Sequence, residues 1–200
     1  MKSRRRFLRD AALVATTGLI LPPGLSRAAE PSAAAPSTPV VSSRRYRIAV
    51  CDWMILKRQK LGAFQLTKDI GADGLEVDMG GLGNRETFDN QLANVEERRE
   101  FLDAARQFNL EICSLAMSGF YAQSFAERPT VLRMVQDCID TMKQMNVKVA
   151  FLPMGVPCDL VQHPKLRPAV VERPKAIAPL APEAGVTIGI ETALDAAGDV

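Results

Sequence analysis

The chain has 200 residues, 47% hydrophobic and 24% charged, with 13 Gly, 13 Pro, 4 Cys and one His. That balance excludes a disordered chain and a small disulfide scaffold, and it leaves length for one domain with a sizeable core. The net charge of +2 hides an asymmetry: residues 1–28 hold Lys2, Arg4, Arg5, Arg6, Arg9 and Arg27 against Asp10 alone, so the remainder is net −3. A mildly acidic body argues against a nucleic-acid partner, whose affinity would rest on phosphate neutralisation.

The N-terminus runs Ser3-Arg4-Arg5-Arg6-Phe7-Leu8-Arg9, then an uncharged apolar stretch from Ala11 to Leu21, then Pro22-Pro23-Gly24 and the small-x-small triplet Ser26-Arg27-Ala28. This is the order of a secretory signal. The apolar stretch has 11 residues, whereas a membrane span needs about 20. The segment resembles the twin-arginine export signal, which implies the Tat export machinery as a partner and a periplasmic or secreted location. A basic amphipathic tail is the alternative. Residues 29–45 are rich in Pro, Ala and Ser and read as a linker, which leaves residues 46–200 as the folded domain.

From Tyr46 the texture becomes a strand–helix rhythm. Five β-rich runs follow: Arg47 to Cys51, Gly74 to Asp78, Leu110 to Leu115, Val147 to Leu152 and Val186 to Ile190. Between them, Val131, Val135, Cys138, Ile139, Met142 and Met145 form one apolar helix face at spacings of three and four. Val95, Leu102, Ala105 and Phe108 do so less cleanly, with Asn94 and Glu97 placed as a capping box. Gly71 and Gly185 stand where helices end. Pro174, Pro179 and Pro182 fall where the fourth helix should lie, so a short or broken helix is expected there.

Alternating strands and helices predict an α/β fold with a parallel sheet. The units recur about every 35 residues. Five such units fit either a five-stranded open parallel sheet or the first part of a (β/α)8 TIM barrel. The turn after the first strand, Cys51-Asp52-Trp53-Met54-Ile55, lacks the glycines of a dinucleotide fold, and no phosphate-binding P-loop pattern occurs. Gly80-Gly81-Leu82-Gly83 reads as a flexible loop.

Gly71-Ala72-Asp73-Gly74-Leu75-Glu76-Val77 and Leu180-Ala181-Pro182-Glu183-Ala184-Gly185-Val186-Thr187-Ile188-Gly189-Ile190-Glu191 share a helix end, a strand and a glutamate, and Arg98 to Leu115 has the same helix-then-strand shape. Together they resemble the xylose-isomerase-like barrel superfamily of sugar isomerases and epimerases, with type-IV apurinic endonucleases as relatives. The resemblance implies a small-molecule sugar or sugar phosphate as substrate. It implies a divalent metal, Mn2+ or Mg2+, at the C-terminal mouth, with Glu191 as metal ligand and catalytic acid/base group. It places the remaining ligands on strands beyond those present, so a partial barrel is the expectation.

Three further residues are candidate substrate contacts. Glu76 alternates with apolar neighbours on strand two and suits either the pocket or an internal ion pair. Trp53, after strand one, suits an apolar wall against a sugar ring or the core. His163, the single histidine, lies in the loop after strand four, facing the mouth or solvent. The four cysteines show no pairing and read as free thiols. The reaction class implied is metal-assisted proton transfer next to a carbonyl. The rivals are a non-catalytic carbohydrate-binding or inactive barrel fragment, and a metal-dependent phosphodiesterase. A partial barrel would also leave two sheet edges unpaired, with Ile48, Leu75 and Ile188 as inward groups that would meet water.

Overall fold

The structure, a computed structural model, describes residues 45–192; the export signal and nearly all of the linker read above lie outside them. Five parallel strands form one sheet in chain order: β1 Ala49–Cys51, β2 Gly74–Asp78, β3 Glu111–Ala116, β4 Val149–Pro153 and β5 Thr187–Glu191. Helices α1 Gly62–Ile70, α2 Val95–Phe108, α3 Val131–Met145, α4 Arg167–Ile177 and α5 Leu180–Ala184 make the crossovers. Each strand pairs with the next in sequence, the order of consecutive βα units in a barrel wall. This is an α/β fold with five parallel strands in an open sheet, consistent with part of a TIM barrel. No helix among the described residues is long and apolar enough to cross a membrane.

Strand parity sets the two faces of the sheet. Leu75, Val77, Leu115, Ala150 and Leu152 are buried with the helices in one core. The six residues read as the apolar face of α3 are all buried there. Helix α2 turns differently from its expected stripe: it buries Phe101, Ala104 and Ala105, while Val95 is exposed. Phe101 sets that rotation by meeting Phe64 of α1 edge-on, ring centroids 5.7 Å apart. Leu75 corrects the expectation that it lines the barrel interior. It is fully buried on the helix side, because Glu76 and Asp78 take the opposite parity. Ile188 likewise packs against that core, and Ile48 lies outside β1 and is exposed.

The caps follow the expected chemistry. The Asn94 side chain accepts from the N–H groups of Glu96 and Glu97, and Gly71 and Gly185 end α1 and α5 in the left-handed region. The proline-rich segment forms a helix in two pieces: α4 runs through Pro174 and stops at Ile177, and α5 starts after Pro179.

Candidate functional site

The face opposite the helices carries the chemistry. Cys51 on β1 stands opposite Glu76 on β2, which stands opposite Ser114 on β3. A register shift in β3 beside Leu75 and Glu76 turns Ser114 toward Glu76. The Glu76 carboxylate accepts from the Cys51 thiol at 2.8 Å on Oε1 and from the Ser114 hydroxyl at 2.7 Å on Oε2. Neighbouring strands therefore clamp it from both sides, and it has no ion-pair partner among the described residues. Burial, then the bond to Glu76, pushes the Cys51 thiol far up, so Cys51 stays a donor.

Glu191 is the last residue of β5, and its Oε2 accepts from the hydroxyl of Tyr121. Tyr121 ends a short turn, Ser118–Tyr121, that follows β3. Its ring lies 5.4 Å from that of Trp53 and 6.1 Å from that of Phe151 on β4, centroid to centroid. Burial, then the hydrogen bond and charge of Glu191, raises the Tyr121 hydroxyl, with smaller contributions from Cys51 and Glu76. The phenol is therefore a neutral donor facing the anionic side of the sheet. The indole Nε1 of Trp53 is buried without an acceptor among the described residues.

The structure thus brings three of the four expected residues, Glu76, Trp53 and Glu191, around Tyr121. His163 takes no part: it is exposed in the β4–α4 loop, its backbone N–H bonded to Asp159. Asp78 lies deeper than its strand pattern shows. Among the described residues, no three His, Cys, Asp or Glu side chains group closely enough to hold a metal.

A second, buried polar network lies at the strand ends beside this cluster. Asp52 and Asp78 are both fully buried. Asp52 accepts from the N–H of Gln59 at 2.8 Å and from that of Asp78 at 3.1 Å. Asp78 accepts from the N–H of Gly80 at 2.9 Å and of Ser118 at 3.2 Å, and pairs with Arg58 Nε at 3.1 Å. Burial, and then the Asp78 charge, pushes Asp52 up to about 7 against the lowering effect of its N–H donors. Burial raises Asp78 too, tempered by Ser118 and Arg58. Sequence reading missed Tyr121, Ser114, Asp52 and Arg58. The one available signal was the Cys51-Asp52 pair at a strand end, where barrel enzymes place functional groups.

The comparison with curated proteins gave no match. A solved structure of 3-keto-D-glucoside 4-epimerase from E. coli, in its apo form, is similar at 17% identity and a TM-score of 0.45. The match covers 65% of this chain and 49% of the other, so the chain spans about half the length of that solved relative. A family model described as xylose isomerase-like TIM barrel matches residues 64–197, from the first helix past the fifth strand. The chain belongs to the xylose isomerase-like TIM barrel family.

Proposed function

We propose that this chain is an exported sugar or sugar phosphate isomerase or epimerase that moves a proton next to a carbonyl. The observation that carries the reading is the inward placement of Glu76 and Glu191 on β2 and β5, with the Tyr121 hydroxyl bonded to Glu191 beside the Trp53 and Phe151 rings. Aromatic faces suit the apolar side of a sugar ring. Carboxylates on the same wall suit proton abstraction and return.

In this reading Glu191 takes the proton from the carbon beside the carbonyl. Tyr121 orients that carboxylate and stays protonated while it does so. Glu76, held between Cys51 and Ser114, is the second acid/base group: it enters the step carrying a proton drawn from solvent and gives it to the carbon, while Glu191 passes the proton it took to solvent. The Trp53 ring supplies an apolar face beside Tyr121. The family implies Mg2+ or Mn2+, and Glu191 supplies one hard oxygen donor of the kind these ions take. The described residues do not assemble a set of three, so no step here runs through a metal. Export follows from the paired arginines and apolar run of residues 1–28.

The test is deuterium incorporation from D2O into a panel of aldoses, ketoses and their phosphates, with and without Mn2+. Wild-type protein exchanges one carbon-bound proton. Glu191→Gln slows exchange by about a hundredfold or more, the scale of a lost general base. Exchange undiminished in Glu191→Gln removes Glu191 from the site. No exchange by the wild type on any sugar returns the reading to a non-catalytic barrel.

A further inference from the structure

We propose that Arg58 and the Gly80–Gly83 turn form an anion-recognition site at the strand ends, one that reads a phosphate or carboxylate carried by the substrate; this rests on the sugar-processing reading above. A guanidinium has five N–H donors in a fixed fork. Arg58 Nε pairs with Asp78 Oδ1 at 3.1 Å, and Nη2 donates to Ser118 Oγ at 3.1 Å. Both partners are buried, so the fork is fixed by groups that do not move with solvent. Nη1 makes no hydrogen bond among the described residues. It lies 3.8 Å from where a Cβ on Gly81 would stand, and apart from the adjoining residues no other atom is within 4 Å of that position. The Arg58 side chain is 43% exposed and its guanidinium stands beside a glycine.

The turn itself has the matching polarity. Its carbonyls are used: Gly81 O accepts from the Asp89 N–H at 2.9 Å, Leu82 O from Arg85 at 3.0 Å, and Gly83 O from the Gln123 amide. The N–H groups of Gly81, Leu82 and Gly83 have no acceptor among the described residues. Occupied acceptors and spare donors beside a half-exposed guanidinium match an acceptor-only group with several oxygens. Gly80 shapes the turn. Its φ is +98°, and a Cβ there would run into the Asp89 carbonyl. Asp78 and Glu76 share a strand face two residues apart, about 7 Å. The anion would therefore sit one pleat beyond the carboxylate clamp, where the far end of a short sugar chain would reach.

Two substitutions isolate the site without orphaning the buried Asp78. Arg58→Lys keeps the positive charge but loses the fork. Gly81→Ala meets no backbone and fills the space before Nη1. Titration calorimetry on the full chain uses inorganic phosphate, gluconate and glucose as probes. The expected result is binding of phosphate or gluconate by the wild type, weakened at least about tenfold in each variant, with Tm unchanged in Gly81→Ala and glucose binding unaltered in both. Preference for phosphate assigns a phosphorylated substrate, and preference for gluconate a sugar acid. No anion binding by the wild type, or equal binding in both variants, overturns the proposal. Glu191→Gln retains the anion affinity, so failure of the proton-transfer reading and failure of this site give different results.

Discussion

Replacing Asp52 by Asn should change how the stability of the protein depends on pH. Asp52 is fully buried, and its carboxyl stands at about 7 against an ordinary 3.8. Each unit is worth 1.36 kcal/mol, so ionising Asp52 costs the folded state about 4 kcal/mol. The folded state holds this proton more tightly than the unfolded chain. The stabilisation is complete below pH 3.8 and is lost as pH rises through about 7. Between pH 5 and pH 8 the loss is about 2.5 kcal/mol. Asn cannot ionise, and it can accept from only one of the Gln59 and Asp78 N–H groups through its single oxygen. Asp52→Asn therefore starts less stable at pH 5 by about 1 kcal/mol and overtakes the wild type by pH 8. Urea unfolding of both proteins at pH 5, 6, 7 and 8 measures the difference, in which the other titrating groups cancel. Two parallel stability curves would refute the argument, because the buried proton would then not belong to Asp52.

Two further outcomes are expected. Gly80→Ala should cost about 3 kcal/mol or more, from the positive φ and the collision with the Asp89 carbonyl; thermal unfolding beside Gly81→Ala, which meets no such obstacle, checks it. Replacing Arg4 and Arg5 by Lys should keep the protein in the cytoplasm, measured by cell fractionation, and an undiminished periplasmic level would remove the twin-arginine reading.

The elements could be read because each carries a period. β2 occupies Gly74–Asp78 as expected, and α3 buries all six stripe residues. The phase of α2 could not be read so well, because its sequence offers two overlapping apolar rows. Phe101 decided between them by reaching Phe64, a partner more than thirty residues away. Leu75 shows a related limit. Period two says that Leu75 and Glu76 face opposite ways, but not which face the helices cover. The helices cover the leucine side, where burial gains most, and leave the glutamate to the cavity side.

The candidate site was only half visible for a different reason. Glu76 and Glu191 announce themselves as charges in apolar strands. Tyr121 does not: it comes from an irregular turn and meets Glu191 across 70 residues of chain. Asp52 and Asp78 are harder still. Most of the contacts to their carboxylates among the described residues are backbone N–H groups, those of Gln59, Asp78, Gly80 and Ser118. Every residue but proline has such a group, so no residue type marks the partner. What the sequence does carry is Arg58, whose side chain pairs with the Asp78 carboxylate, and Gln59 beside it. Gln59 adopts a positive φ of 47° in a loop with no period, its own N–H on Asp52 and its amide donating to the Asp78 carbonyl at 2.8 Å. Such a conformation in a non-glycine residue persists only where surrounding bonds over-determine it. The β1–α1 loop is therefore fixed by polar groups as well as by the packing of Ile55 on the core, and it holds Arg58 and Trp53 at the strand ends, beside the two inward-facing glutamates.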